Sequence, residues 1–594
     1  MNEDKTTQIR LLLAVVLSIA VMALWSLLFP PPKPRPPQPG TPPAQSAPAP
    51  QTKAPAPIAS GQAANAQPGK SQPAPPSPAE VAAPPVAPRA ASEEKTIVVE
   101  NDLYRVEFSN RGAVVHSWQL KKYKDDHKPP ETLNVVHAES AKQFGGWPLS
   151  LALENTELES LANNALYEVT PAPTGSGPSS TPLRAPAELN FTWSDGRLAV
   201  TKRLKFVSSY IVQLDSEVSY DGKPLPHAIA WRGGFGDDTV YNAATRVLVI
   251  FRTGGKMQSL ASNKVGNPDN PAQRQLQEGV LDYAGIEDLY FAAAFLPPEV
   301  RPGAPGAGVS LWHWRIDREV MRDNKQVKEP VPEVAVSNAT PGPLTLRLYV
   351  GPKSIEDLSK VNPPLTDLVQ FGEWLGVIAK PLFYFLKWLN GYVHNYGWAI
   401  IVLTIVINTA LFPLKVKSWR SMQKMQKVQP ELKAIQDRYK KYSMRDPRKA
   451  EMNKEMMAIY QREGISPMGG CLPMLLQMPI WFALYRMLSV SIELRHAPWI
   501  WWVKDLSNYD PYFILPALMV LTMYLMQKMT PVTTTDPMQQ KMMNMMPLFM
   551  GILFFRTSSG LVLYILTSNL IGISQQWFLN RTAPAVASAK RRER

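Results

Sequence analysis

Side chains able to make or break bonds are few in this sequence and poorly placed for it. His116, His127, His137, His227, His313, His394 and His496 are scattered, with no His-Glu-x-x-His and no pair at helical ligand spacing. The one cysteine, Cys471, excludes an intramolecular disulfide framework and any all-cysteine metal site. Neither a Gly-x-x-x-x-Gly-Lys-Ser/Thr phosphate loop nor a Gly-x-Ser-x-Gly elbow occurs. These absences argue against a metalloenzyme and a nucleotide-driven motor, so no catalytic residue, cofactor or metal is expected. More telling are polar groups inside apolar runs. Thr404, Asn408 and Lys415 fall at i, i+4 and i+11, which puts them on one helix face. Arg486 lies inside a later apolar stretch. An unpaired guanidinium there is a functional candidate; its plainer reading is snorkelling toward headgroups beside Glu493, Trp499, Trp501 and Trp502.

The elements that must position these groups are legible from segregation. The chain has 594 residues, 63 Lys+Arg against 49 Asp+Glu and a net charge of +14, yet only 19% of it is charged and 45% is hydrophobic. Leu11 to Phe29 is one apolar run between Arg10 and Pro30. A membrane-crossing helix needs about 20 such residues, whereas the apolar core of a signal peptide takes about 7–15. A retained anchor over 1–29 is therefore expected rather than a cleaved leader. Pro30 to Pro88 holds 21 of the 58 prolines, so residues 30–92 read as an extended, mobile spacer rather than a recognition ligand.

From 93 to 355 the pattern has a period of two. Tyr104, Val106 and Phe108 alternate with Arg105 and Glu107, and Leu344, Leu346 and Leu348 with Thr345 and Arg347. Short runs of this kind between Gly, Pro, Asn and Asp predict a large antiparallel β-sandwich. Between 365 and 390, Leu368, Phe371, Leu375 and Ile378 form an apolar helical stripe with aromatic neighbours, a helix expected to be broken by Pro381. That suits a helix in the headgroup region or one packed on the β-domain. Five apolar stretches follow, roughly 397–414, 470–494, 512–528, 542–556 and 560–579, which with the anchor predict an all-helical bundle. The loop 415–466 carries fourteen basic residues against six acidic ones, and the tail ends in Lys590, Arg591, Arg592 and Arg594. Basic loops face the cytoplasm, so both termini belong there and the β-domain belongs in a bacterial periplasm.

The C-terminal stretches carry longer motifs: Ser466-Pro467-Met468-Gly469-Gly470-Cys471-Leu472-Pro473 running into Leu476-Gln477-Met478-Pro479, then Asp510-Pro511-Tyr512, Thr535-Asp536-Pro537-Met538-Gln539-Gln540-Lys541 and Ser559-Gly560-Leu561-Val562-Leu563-Tyr564. In this order and spacing they closely resemble the YidC membrane protein insertases, over the whole chain. The resemblance implies a multi-domain membrane protein: an N-terminal anchor, a periplasmic all-β supersandwich similar to mutarotases but without their activity, and an all-α five-span insertase core over 396–580. It implies, too, a function: integrating and helping fold nascent inner-membrane proteins, alone or beside the Sec translocon, through a polar groove open to cytoplasm and lipid.

The same resemblance names the groove. Matching Phe412-Pro413-Leu414 to the family's aromatic-Pro-Leu puts Asn408 where the family carries a basic residue, a departure that leaves the groove centre without its usual charge. Thr404 and Gln477 match other polar groove positions, and Tyr564 is a further lining residue. Lys415 and Lys417 at the cytoplasmic mouth, or Arg486 on the third span, are the candidate replacement charges. Within 415–466, Met422, Met425, Met444, Met452, Met456 and Met457 punctuate a helical hairpin, serving either capture of greasy partners or the seam between its helices. Its basic charge, with that of the tail 581–594, suits ribosomal RNA or anionic lipid, or a solvated membrane-proximal surface; DNA is not expected. A transporter would show an internal repeat, which these spans lack. A carbohydrate-active β-domain would need a constellation that His116, His137, Asp282 and Glu287 do not form.

Overall fold

The computed structural model describes residues 87–144, 146–171, 181–240, 246–299, 308–322, 325–339, 343–372, 374–442, 446–464, 472–530 and 537–582. The expected anchor at 1–29, the spacer up to 86, the segment 465–471 with Cys471 and the tail beyond 582 lie outside them.

Alternation dictates the N-terminal half. In strand Tyr104–Ser109 the residues Tyr104, Val106 and Phe108 are buried and Arg105 and Glu107 are not. A ten-stranded sheet runs in hydrogen-bonded order Lys256–Ala261, Leu248–Thr253, Tyr283–Glu287, Phe291–Leu296, Leu344–Pro352, Ile211–Tyr220, Leu198–Phe206, Ala187–Ser194 and Glu168–Thr170, with Lys223–Pro224 paired to Ile211–Tyr220. Two five-stranded sheets accompany it, Thr132–Asn134 to Leu183–Arg184 and Gln275–Leu281 to Ser150–Ala152. The central strand Phe291–Leu296 is buried on both faces. Trp118, Trp231, Phe108 and Phe206 are fully enclosed, each contributing about 1.5–3 kcal/mol by leaving water.

One buried group breaks the alternation rule. Lys202 points inward, and its Nζ donates to the carbonyls of Gly112 (2.9 Å), Ala113 (3.1 Å) and Leu149 (2.8 Å). All three acceptors belong to residues of positive φ, so turns, not strands, present these oxygens. Three donors meet three acceptors. Lys202→Met is expected to strand the carbonyls and destabilise the β-domain by roughly 3 kcal/mol or more, since each unmet buried acceptor costs about 1–3 kcal/mol; the midpoint of denaturant unfolding checks it.

Among the described residues three short helices decorate the β-domain: α1 (Ala138–Phe144), α2 (Thr156–Asn164) and α3 (Ile355–Ser359). The helical half then comprises α4 (Gly376–Val393), α5 (Tyr396–Ala410), α6 (Phe412–Arg438), α7 (Arg448–Arg462), α8 (Leu472–Val490), α9 (Ile514–Met529), α10 (Pro537–Phe554) and α11 (Ser559–Thr582). The stripe expected over 365–390 begins as helix only at Gly376, and Pro381 does not break it: in the second turn, close to the helix start, it forgoes one backbone bond and the winding runs on to Val393. Leu368 closes a 3-10 turn, and Gly372 at φ +92° interrupts the winding before α4. Helix α4 buries Ala379, Phe383, Leu386 and Leu389, while Val377, Tyr384, Trp388 and Tyr392 form an exposed, aromatic second face.

The first apolar stretch after it is not one helix. Helices α5 and α6 meet at a 54° bend, because Pro413 lacks an N–H and crowds the preceding turn. Among the described residues no single helix is both long and apolar enough to cross a membrane, and this bent pair passes only when joined. Length explains α5 and α9, at 15 and 16 residues. Composition explains α11, whose 24 residues include Ser568, Asn569, Ser574, Gln575 and Gln576. Helices α6 and α7 form the basic hairpin, sealed by Val428, Leu432, Ile435, Tyr439 and Ile459 with Met425, Met452 and Met456 packed on them. Those three methionines therefore serve the seam, whereas Met457 is exposed.

The segment 491–513 between α8 and α9 fastens the helices to each other and to the sheets. Leu506 and Asn508 accept backbone bonds from Gly560 (2.9 Å) and Ser559 (2.7 Å) at the start of α11. Asn395, the N-cap of α5, reaches the carbonyls of Pro498 and Trp499. On the β-domain side, Arg495 forms a fully enclosed ion pair with Asp237 and lies over the rings of Tyr290 and Phe291. His496 Nε2 sits 2.7 Å from Asp126 Oδ1.

Candidate functional site: a polar ladder between helices

Helix α11 positions the site. Tyr564, Ser568 and Gln575 recur at i, i+4 and i+11, one stripe on its surface. Each meets a polar group from another helix. Tyr564 OH accepts a bond from Gln477 Nε2 on α8 at 3.3 Å. Ser568 Oγ pairs with the Asn408 amide of α5, at 3.3 Å from Nδ2 and 3.4 Å from Oδ1. Gln575 Nε2 donates to the Asn408 carbonyl at 3.3 Å. That carbonyl lies in the last turn of α5, where no intrahelical donor follows.

The fourth rung supplies the charge. Lys415, in the first turn of α6, turns back across the bend and places Nζ 2.7 Å from Asn408 Oδ1 and 3.2 Å from Gln575 Oε1. Its acceptors are amide oxygens rather than carboxylates, so the ammonium is held without being neutralised. A straight helix would carry Lys415 two turns beyond Asn408; the 54° bend brings the two side chains together. The position without a charge of its own thus receives one from seven residues downstream.

Of the other expected residues, Thr404 is buried on the same face but spends its hydroxyl on the Ile400 carbonyl at 2.6 Å, while its own carbonyl takes Asn408 Nδ2 at 2.9 Å. It braces Asn408. Lys417 is exposed on α6 and has no place in the ladder. Arg486 lies elsewhere: Nε donates to the Gln370 carbonyl at 2.6 Å, and Gln370 Nε2 donates to Glu287 of the β-domain at 2.7 Å. Burial pushes the Glu287 carboxyl up from its ordinary value, against the pull of Lys353 at 3.1 Å. Arg486 therefore ties α8 to the sheet domain.

Sequence reading missed a second polar stripe on α11. Asn569 Nδ2 donates to Thr522 Oγ1 (3.3 Å), and Asn580 Nδ2 (3.3 Å) and Gln576 Nε2 (3.5 Å) reach the Met529 carbonyl at the end of α9. Asn580 Oδ1 also takes Trp419 Nε1 of α6 at 3.3 Å. The signal was the spacing of amides at 569, 576 and 580, i, i+7 and i+11.

Two family models match the chain, one on each half. The family described as "60Kd inner membrane protein" matches residues 388–586, and "YidC periplasmic domain" matches residues 96–385. The chain is similar to the membrane protein insertase YidC of Syntrophus aciditrophicus (strain SB), at 31% identity over 504 residues, 83% of this chain and 86% of that one. It is 34% identical to the membrane protein insertase YidC of Geobacter sp. (strain M21) over 501 residues, 82% and 86% of the two chains. Among solved structures, an active YidC insertase crystal structure aligns at 17% identity over 83% of this chain and 95% of that chain, with a TM-score of 0.33.

Proposed function

The chain belongs to the YidC family of membrane protein insertases, and from that premise we propose that its polar ladder is the groove through which hydrophilic parts of a client pass. The family acts on inner-membrane proteins and is not an enzyme family. The physical task is one barrier. A charged group at the bilayer centre costs at least ~2.5–3.5 kcal/mol, and a polar furrow walled by the half-buried Ser568, Gln575 and Gln477, with Asn408 and Tyr564 enclosed behind them, removes much of it. Burial of the client's own apolar helix in lipid then drives integration at about 25 cal/mol per Å², without nucleotide. The observation that carries this reading is the Lys415 ammonium on the Asn408 amide: an unneutralised cation among polar side chains attracts an acidic client tail.

In this reading the core over 396–580 crosses the bacterial inner membrane five times, with α5 continuing through its bend. An anchor at 1–29 and the spacer 30–92 lead to the periplasmic domain over 93–355, and both termini are cytoplasmic. Helix α4 lies at the periplasmic surface, its core-facing side on the bundle and Trp388 and Tyr392 in the headgroups, as amphipathic interfacial helices do. The hairpin within 415–466 and the tail 581–594 meet the ribosome or anionic lipid through their basic charge, and the Sec translocon is a second partner.

Vesicles containing only this chain test the proposal. A small inner-membrane client with a short acidic translocated tail is expected to integrate without nucleotide, read as protease protection of the tail. Integration no faster than into empty vesicles overturns it.

A further inference from the structure

The joint between sheets and helices holds a second cluster, apart from the ladder. We propose that Asp126, His496 and Asp505 form a site for a divalent transition-metal ion of the Zn2+ type, which clasps the β-domain to the segment between α8 and α9. A ring nitrogen of His496 and one carboxylate oxygen from each aspartate lie within 4.8 Å of one another. They come from both sides of the joint: Asp126 from the β-domain, His496 and Asp505 from the segment 491–513.

Each ligand is braced through its other atoms, the arrangement that orients metal ligands in proteins. Asp505 Oδ1 takes the His496 N–H (3.0 Å), the Ser507 N–H (2.8 Å) and the Ser507 hydroxyl (2.7 Å), leaving Oδ2 for an ion. The Asp126 N–H is held by Thr239 Oγ1 at 2.9 Å. His496, at φ +55°, has its ring nitrogen on Asp126 and its backbone N–H on Asp505. The side chains of His496 and Asp126 are 30% and 28% exposed, so an ion has access.

Chemistry selects the ion class. Zn2+ binds imidazole nitrogen and carboxylate oxygen at about 2.0–2.2 Å, which sets tetrahedral ligand atoms about 3.3 Å apart. The His496–Asp126 contact of 2.7 Å needs to open by roughly 0.6 Å and the Asp505 oxygen, within 4.8 Å of the other ligand atoms, needs to close in toward about 3.3 Å, both by side-chain rotation, with water completing the fourth position. Calcium and magnesium ask for six or more oxygens, whereas one imidazole with two carboxylates suits the later transition metals. Arg495, the preceding residue, is paired with Asp237.

The test uses the full chain without a polyhistidine tag, stripped with chelator and titrated with Zn2+ by calorimetry. One site per chain is expected, weakened tenfold or more in His496→Ala and in Asp126→Asn, and Zn2+ should raise the unfolding midpoint of the parent chain alone. Asp126→Asn keeps the backbone contact to Thr239 and decides the matter should His496→Ala fold poorly. Absence of saturable binding, or isotherms that coincide for the parent and Asp126→Asn, overturns the proposal. The readout does not depend on insertion, so it stands or falls apart from the groove.

Discussion

Replacing Lys415 by alanine is expected to slow integration of clients with acidic translocated tails by ten- to a hundredfold, while clients whose tails carry Asn and Gln instead are slowed far less. A carboxylate about 4 Å from an ammonium gains about 4 kcal/mol at an effective dielectric near 20, and each 1.4 kcal/mol is a factor of ten. That full gain would be worth nearly a thousandfold; screening and competition from water reduce it to the ten- to hundredfold range. The variant leaves Asn408, Ser568 and Gln575 to bond with one another, so the furrow stays polar and only its charge is lost. Adding Asn408→Arg to Lys415→Ala returns a cation to the same point and should restore the acidic client. Protease protection across a client series, scored in vesicles, separates these cases. Equal slowing of acidic and neutral tails would show that Lys415 holds the bend rather than the client.

The second large effect is expected at Arg495. Its side chain is 3% exposed and that of Asp237 is 1% exposed, so Arg495→Met leaves a carboxylate oxygen enclosed without its cation. Removing one member of such a pair costs about 3–5 kcal/mol. Asp237 Oδ1 keeps its bonds from Thr239, so the loss falls on the joint rather than on the turn. Faster amide exchange across 491–513, with the inner strands of the β-domain unchanged, is the expected signature. Asp237→Asn in the same chain should recover most of the loss, because a neutral amide no longer carries the cost of an unpaired charge.

Much of the fold is legible in the sequence. Period-two runs such as Tyr104–Phe108 and Leu344–Leu348 give strands because one face of each sheet meets the core, and burial enforces alternation. The helices were readable as apolar runs, but not their breaks: Gly372 and Pro413 act on backbone geometry that hydropathy does not sense. Asn408 was placed by the resemblance in its motifs, and Lys415 by a shared helix face. The route by which Lys415 reaches Asn408 was not accessible, since it depends on a bend between the two. Arg486 shows the opposite limit. Its sequence neighbourhood left a groove charge and a snorkelling anchor open, and its partner, Gln370, lies over a hundred positions away in the chain. Lys202 could not be foreseen either, because its acceptors are carbonyls of turns distant in sequence.

The elbow between α5 and α6 has a mechanical corollary. Helix α6 spans 27 residues, a lever about 40 Å long at 1.5 Å per residue, and Lys415 sits only about 4–5 Å along it from the pivot. A swing that carries the hairpin tip through 6 Å therefore displaces the root of Lys415 by well under 1 Å, about one-ninth as far. Displacements of the hairpin tip are thus damped at the fulcrum, which keeps the cation on station.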